Sequence, residues 1–204
     1  MRSSRQITPK VLITTDFSPE SERAFYHALA FTVAHQARLT LLHIGAEGRD
    51  AVPWGRFPGV RTTLSKWGLL PADAPRTAVA ETLHIDVAKM AMRDHDPRLG
   101  ITDYLRKHPT DLLVMATEGR TGLARLFNPS VADHISYLTK SHTLMLPKAS
   151  TGFVDPESGR SALRRVLCAL DFEHDQRAAL VYLKEWLPAL SGGNTVEIVL
   201  LHGP

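Results

Sequence analysis

The stretch that decides the fold spans residues 111–147, DLLVMATEGRTGLARLFNPSVADHISYLTKSHTLMLP. Its apolar runs and its Asn-Pro-Ser helix start predict a buried strand over 112–116, a helix over 128–139 and a strand from Thr143 to Leu146. A loop that leaves a strand and opens a helix presents free backbone N–H groups and the positive end of the helix dipole. This segment therefore indicates where the fold would bind an anion.

The residues before this stretch repeat the same alternation of strands and helices. We predict strands over 11–15, 39–44 and 85–92, and helices from Pro19 to about His35 and over 98–108. Ser18 is the expected N-cap of the first helix, with Pro19 at its first position. Residues 45–75 are rich in glycine and proline, so we predict a long connection with one short helix over 62–69.

Alternating strands and helices predict an α/β fold, a doubly wound five-stranded parallel sheet in the order 3-2-1-4-5 with helices on both faces. In such a sheet a ligand binds at the carboxyl ends of the strands, where the winding reverses. For this order the expected cleft lies between the first and fourth strands. Thr15 and Asp16 follow one strand, and Met115 to Gly119 follow the other.

The composition is that of an ordinary globular protein, with 44% hydrophobic and 22% charged residues among 204 and a net charge of +3. Lys and Arg are scattered, which argues against a nucleic-acid partner. No apolar run reaches membrane-spanning length, and the run after the basic N-terminus is too short for a signal peptide. Cys168 is the single cysteine, so no intrachain disulfide forms. We expect a cytoplasmic protein that binds neither nucleic acid nor membrane.

The chain contains an internal repeat. VLITTDFSPESERAF at residues 11–25 returns as VLCALDFEHDQRAAL at 166–180, and LTLLHIG returns within EIVLLHGP. We therefore expect an α/β domain over 1–148, a linker over 149–163 and a partial second repeat over 164–204. About 40 residues cannot normally bury enough surface to fold alone, so this part is expected to pack on the first domain or on another chain. We favour truncation of a longer tandem protein.

The two blocks over residues 10–44 and 111–147 resemble the opening and the closing half of universal stress proteins. The resemblance implies a five-stranded α/β fold, dimers that pair through the last strand, and a role in stress survival. Many members bind ATP or another adenine nucleotide, and many do not. The repeat makes the chain similar to a tandem member of the family.

Nucleotide-binding members share a pattern of glycine, two residues, glycine, nine residues, glycine, then Ser or Thr. Here the register places Gly119 and Ser130 at matching positions, whereas Ala116 and Pro129 replace glycines. The resemblance also implies that Asp16 is the aspartate that follows the first strand, that Ile44 packs on adenine, and that Met115 holds the position before the first glycine. Ser130 and Val131 can still offer backbone N–H groups to a phosphate.

The two departures differ in their physical effect. Ala116 adds one methyl group where backbone approaches the ligand. Pro129 removes an N–H group that would otherwise point at phosphate. Asn128-Pro129-Ser130 is also a strong helix start, so this turn has a purely structural interpretation as well.

Other candidate groups favour structural roles. His43 and His202 stand at equivalent strand ends, where a local hydrogen bond is the expected role. The pair His95-Asp96 has no partner ligand at metal-binding spacing and is interpreted as a loop with a helix cap. Residues 191–194 (SGGN) are predicted to form a turn, while Trp54 and Trp67 are expected to cover the core.

These observations predict a stress-response regulator or sensor that binds an adenine nucleotide, ATP with Mg²⁺, at the cleft. We expect no dedicated catalytic residue and at most a weak ATPase side activity. The alternative is an interaction or dimerisation module with an empty cleft. An adenylating enzyme is disfavoured because its loop signature is missing. The apolar edge strand from Thr143 to Leu146 predicts a homo-oligomer, most simply a dimer.

Overall fold

A five-stranded parallel sheet organises the N-terminal three-quarters of the chain. The computed structural model describes residues 8–46, 51–116, 141–170 and 177–202. The elements are β1 Lys10–Thr15, α1 Pro19–His35, β2 Arg38–Gly45, α2 Val60–Lys66, α3 Ala78–Leu83, β3 Asp86–Arg93, α4 Pro97–Lys107, β4 Leu112–Ala116 and β5 His142–Leu146. The strand order is β3-β2-β1-β4-β5, which confirms the predicted fold class. The helix predicted over 128–139 lies outside the described residues.

Helix α1 begins as its sequence predicts. The Ser18 side chain accepts a hydrogen bond from the Ser21 backbone N–H at 3.2 Å, and Pro19 stands in the first turn. The helix ends at Gln36, which adopts the left-handed conformation with φ 49°. The cap satisfies one of the N–H groups that a helix start leaves unpaired, so the beginning of α1 is fixed directly behind the end of β1.

The core has two parts, one on each face of the sheet. Alternate residues of β1 face opposite sides: Ile13 packs in the cluster under α1, while Leu12 packs in the cluster under α4. Both are at most 1% exposed. Helix α4 covers the second face with Ile101 and Leu105. Burial on both faces explains why β1 and β4 are continuous apolar runs rather than alternating ones.

The glycine-rich region after β2 is more ordered than predicted. It contains a 3-10 turn at Trp54–Arg56, helix α2 and helix α3, of which only α2 was expected. Phe57 and Leu64 from this region are at most 5% exposed in the α1-side core. Trp54 and Trp67 pack against that core, as predicted. Single aromatic and apolar side chains thus hold this region against the core, although its local sequence is typical of a loop.

The C-terminal segment repeats the opening unit in structure as well as sequence. The segment consists of strand β6 (Arg165–Leu170), helix α5 (Arg177–Leu190) and strand β7 (Glu197–His202). Strands β6 and β7 pair as a parallel two-stranded sheet. Val166 pairs with Ile198, just as Val11 pairs with Leu39 in the first copy. Cys168 is buried, but Leu167 is 60% exposed because the described chain places no second layer on that side of the small sheet.

Helix α5 packs on the first domain through stacked rings. Trp186 stacks on Phe31 of α1 with centroids 4.4 Å apart, and Tyr182 stacks on His142 at the start of β5 with centroids 3.4 Å apart. Burial raises the pKa of the Tyr182 hydroxyl, and the nearby charge of Asp111 acts in the same direction. Aromatic pairs of this kind add to the free energy of area burial. The repeated unit therefore packs against the domain and is not joined to it by the chain alone.

The segment predicted as a linker is a structured strap, which we define as residues 150–162. Its centre is a tight hairpin, closed by a bridge between Val154 and Ser161. The Nε2 atom of His27 on α1 accepts hydrogen bonds from the backbone N–H groups of Phe153 and Val154, at 2.9 and 3.1 Å. Trp67 donates its indole N–H to the Pro156 carbonyl at 3.1 Å. The strap thus joins α1 and α2 on the outside of the domain.

Within the described ranges, no helix combines the length and the apolar character needed to cross a membrane.

Candidate functional site

A cleft of about 740 Å³ opens at the carboxyl ends of β1, β2 and β3. Its walls mix apolar, aromatic and charged side chains, which is typical of small-molecule sites. The lining residues are Asp16, Phe17, His43, Ile44, Gly45, Ala46, Ala51, Pro53, Arg56, Asp94, His95 and Pro97. This is the end of the sheet at which a doubly wound fold binds its ligand. The described cleft lies at β1–β3 and not between β1 and β4, where it was expected. On the β4 side Met115 is buried in the core, and residues 117–119 lie outside the described residues.

Asp16 follows β1 and has one engaged and one unengaged carboxylate oxygen. Its Oδ1 accepts hydrogen bonds from the Ser18 backbone N–H at 3.0 Å and from the Ser18 hydroxyl at 2.6 Å. Its Oδ2 is buried and has no hydrogen-bond partner among the described residues. A buried acceptor without a donor is costly, so this oxygen is suited to receive a hydrogen bond from a ligand.

Phe17 holds a strained backbone conformation beside Asp16. Its φ of 61° lies in the left-handed region, which is uncommon for a bulky residue. Its ring packs against Trp54, Phe57 and His43, with centroids 5.3, 5.7 and 4.7 Å away. The ring cluster maintains the strained turn and fixes the 51–57 segment over the cleft. Strain of this kind concentrates at ligand sites.

Ile44 forms the floor of the cleft and is 8% exposed. Helix α4 approaches it closely at Gly100, where an added Cβ would lie 2.7 Å from the Ile44 Cδ1. A glycine at that position therefore permits the helix to rest on the floor residue. The result is a rigid apolar surface at the end of β2, flanked by the ends of β1 and β3.

The turn after β3 contains two carboxylates, those of Asp94 and Asp96, which have different roles. The Asp94 side chain accepts from the Asp96 N–H at 2.9 Å, and the Asp94 N–H donates to the Gly45 carbonyl at 3.0 Å. Asp96 caps α4 and pairs with Arg98 at 2.7 Å, which holds the pKa of the Asp96 carboxyl below its usual range. The predicted loop with a helix cap is confirmed. Of the two, Asp94 lines the cleft.

His43 has the structural role that was predicted for it. Its Nδ1 lies 2.8 Å from the Thr15 carbonyl oxygen, which fits an N–H donor at that nitrogen. The bond joins the ends of β1 and β2 and places the ring on Phe17. The turn at residues 191–194 is likewise confirmed, with Gly192 and Gly193 in the left-handed region at φ 61° and 80°.

Only some of the predicted site residues line the cleft. Asp16 and Ile44 line the cleft together. Thr15 is buried, and its hydroxyl bonds to Ser21 and accepts from the Phe17 N–H, so it supports the turn from below. Met115 is 1% exposed in the core under α4 and does not line the described cleft. Gly119, Ser130 and Val131 lie outside the described residues, as does Pro129.

Sequence reasoning missed part of the cleft wall. Phe17, Arg56 and Asp94 line it, and none was assigned to the site. Asp94 carries a recognisable signal, because it directly follows β3 as Asp16 directly follows β1. Arg56 carries none, since its position depends on the ring contacts that bring the 51–57 segment over the sheet.

A family model and several solved structures are similar to this chain. The model of the universal stress protein family matches residues 8–147. Similar solved structures include a universal stress protein in complex with cAMP, with 19% identity, 71% of this chain and 98% of that chain covered, and a TM-score of 0.44. UspA from Lactobacillus plantarum shows 20% identity, 69% and 99% coverage and a TM-score of 0.41. Protein Rv1636 from Mycobacterium tuberculosis H37Rv shows 19% identity, 72% and 100% coverage and a TM-score of 0.37.

No curated protein matches the sequence. The family model nevertheless spans well over half of the chain and coincides with the five-stranded sheet and its cleft. The chain belongs to the universal stress protein family.

Proposed function

We propose that this protein is a stress-response regulator or sensor that binds an adenine nucleotide in the cleft at the ends of β1–β3. In this proposal Asp16 accepts a hydrogen bond from a ribose hydroxyl, and Ile44 packs against the base. Gly119, Ser130 and Val131 would bind the phosphates, with Met115 and Thr15 supporting the site from the core. The proposal places the protein in the cytoplasm and includes no catalytic step beyond a slow ATPase side reaction.

The observation that carries the proposal is the Oδ2 atom of Asp16, for which the described part of the chain offers no hydrogen-bond donor. Oδ1 is occupied by Ser18, while Oδ2 is buried without a described partner at the rim of an apolar floor. A nucleoside supplies both things that this arrangement lacks, a hydroxyl donor for the oxygen and a flat apolar ring for Ile44. The strained turn at Phe17 holds the oxygen in place before any ligand binds.

The proposal includes Mg²⁺ as a companion of the ATP phosphates. It keeps several of its waters and takes only one or two carboxylates in sites where it bridges substrate phosphates. Bound with ATP, it would neutralise phosphate charge close to Asp16. No group of three or more His, Cys, Asp or Glu side chains in the described residues is arranged to hold a metal ion.

The first test is ligand-linked stability. Millimolar ATP with Mg²⁺ should raise the melting temperature of the wild-type protein, because a ligand that binds only the folded state stabilises it. Asp16→Ala should abolish the shift, and cAMP serves as a second probe without a triphosphate. Asp96→Ala is the matched control, since that carboxylate caps α4 and does not line the cleft. No shift with either nucleotide would contradict the proposal.

The second test concerns the proline in the phosphate loop. Pro129→Gly restores a backbone N–H at that position, so we expect ATP to bind several-fold more tightly to the variant. Adenosine is the control ligand. It has no phosphate, so it should bind the wild type and the Pro129→Gly variant equally. Equal ATP affinity in the two proteins would show that the missing N–H is irrelevant.

The alternative function is an interaction module that pairs with itself or with another protein. Two features favour it, the edge strand from Thr143 to Leu146 and the exposed apolar residues of the β6–β7 sheet. We propose that the protein forms homodimers through the β5 edge. Light scattering that finds monomer over a wide concentration range would argue against pairing, whereas dimers without any nucleotide response would favour the alternative.

A further inference from the structure

Asp94 is fixed in the cleft by three separate contacts. Its backbone N–H donates to the Gly45 carbonyl at 3.0 Å, and its Oδ1 accepts from the Asp96 N–H at 2.9 Å. Its Cβ lies 3.4 Å from the position that a Cβ on Gly100 would occupy, so α4 packs against it. The carboxylate is thus held in one position at the wall of the cleft, and no ion pair to it is formed within the described residues.

The second relevant feature is the position of Asp94 relative to Asp16. Asp94 follows β3 and Asp16 follows β1, with β2 and Ile44 between them. Neighbouring strands lie about 4.8 Å apart, so the two backbones are separated by roughly 10 Å across the sheet. One carboxylate therefore stands at each end of the apolar floor.

A nucleoside has a matching distribution of donors. Its ribose hydroxyls lie at one end, its flat ring in the middle, and the exocyclic amine of adenine at the other end. With the ribose at Asp16 and the ring on Ile44, the amine end points to the β3 side of the cleft. Asp94 lines that side together with His95, and its carboxylate accepts hydrogen bonds and cannot donate them when ionised.

We propose that Asp94 reads the base by accepting a hydrogen bond from its exocyclic amine, and so makes the cleft selective for adenine over hypoxanthine. The inference rests on the proposed nucleotide binding and adds the residue that sets base specificity. Hypoxanthine carries a carbonyl oxygen where adenine carries the amine. Facing that oxygen, the carboxylate would lose its donor and meet a second acceptor, and sites built for a hydrogen bond reject the analogue that lacks it.

The test compares ATP with ITP, which differ at this amine, by titration calorimetry on the full chain. We expect the wild type to bind ATP at least about 10-fold more tightly than ITP, as a hydrogen bond to a charged group implies. Asp94→Asn should remove or reverse this preference, because its amide N–H donates to the carbonyl oxygen of hypoxanthine. The amide oxygen can still accept from the Asp96 N–H, so the turn is preserved.

Two further variants make the result specific. Asp16→Asn should weaken ATP and ITP by similar factors, since it acts on the ribose end. Asp96→Asn makes the same chemical change two residues from Asp94, outside the cleft lining, and should leave the ATP/ITP ratio at the wild-type value. Asn is also a good N-cap, so α4 keeps its start.

The outcomes separate this inference from the function on which it rests. If the wild type binds ATP but prefers it no more than ITP, or if Asp94→Asn leaves the preference unchanged, the role of Asp94 is wrong while nucleotide binding stands. If the wild type binds neither nucleotide, the proposed function fails and the inference fails with it.

Discussion

At the scale of single residues, His27 joins the domain to the strap. Its Nδ1 lies 2.8 Å from the Arg23 carbonyl, and its Nε2 accepts from two backbone N–H groups of the strap. This pattern requires a neutral ring with the proton on Nδ1. Burial lowers the pKa of His27, and the charge of Arg23 adds to this, whereas the bond to the Arg23 carbonyl acts in the opposite direction.

We expect the fold to lose stability as pH falls below about 6.5, the ordinary pKa of histidine. The folded-state pKa of His27 is lowered, so below 6.5 the unfolded chain binds more protons than the folded one. Urea denaturation at pH 7.5 and 5.5 measures the loss. His27→Gln keeps a donor and an acceptor and should reduce the pH dependence, while His95→Gln changes an exposed histidine as the control. A pH dependence that His27→Gln leaves intact would contradict this role.

Gly152 permits the close approach of the strap to His27. Its φ is 76°, and a Cβ there would lie 2.3 Å from the His27 Cε1. We expect Gly152→Ala to destabilise the protein by more than the ~1 kcal/mol that alanine costs in the left-handed region. Gly68→Ala is the matched control, because Gly68 has φ 73° and nothing within 4 Å of its Cβ position. Equal changes in urea midpoint would show that the strap yields to the extra methyl group.

At the scale of elements, the start of α1 links helix stability to the cleft. Ser18 caps the helix and also donates its hydroxyl to Asp16 Oδ1. Ser18→Ala should therefore cost about 1 kcal/mol in unfolding free energy and weaken any nucleotide binding through Asp16. Thr77→Ala at the N-cap of α3, which forms no side-chain cap bond, should cost less. Equal costs in chemical denaturation would remove the capping argument.

Periodicity and capping signals were sufficient for the sheet but not for the whole cleft. The runs of β1 and β4 are apolar because both faces are buried, and Ser18-Pro19 marks the start of α1, so these elements were predictable. Helix α3 has only six residues and was missed, and Thr77 at its N-cap forms no side-chain cap bond. Asp16 directly follows β1 and Ile44 lies at the end of β2, and both were found. Arg56 reaches the cleft only because Phe17 packs on Trp54 and Phe57, and such tertiary contacts leave no local pattern.

At the scale of the whole molecule, the two copies of the repeated unit differ in what surrounds them. Leu12 in the first copy is 1% exposed, whereas Leu167 at the equivalent position is 60% exposed, and Leu200 on β7 is 59% exposed. The same strand pattern is thus core in one copy and surface in the other. Apolar surface of this kind promotes association.

We expect the β6–β7 sheet to make the protein self-associate as its concentration rises. Leu167→Lys combined with Leu200→Lys should lower the weight-average mass in light scattering, because charge on the sheet opposes its burial. Leu99→Lys serves as the control, since Leu99 is 62% exposed on α4, away from this sheet. Equal mass of the double variant and the wild type at every concentration would show that the β6–β7 sheet does not drive association.

The hydrogen bonds between His27 and the strap also affect the folding kinetics. Phe153 lies 126 residues from His27 along the chain, so the contact closes a very long loop. Closing such a loop costs more entropy than forming local contacts, and long-range contacts are slow to form. We therefore expect the hydrogen bonds between His27 and the strap to form after the folding transition state. Their loss should speed unfolding and leave the folding rate nearly unchanged, which makes His27 a determinant of how long the native state persists.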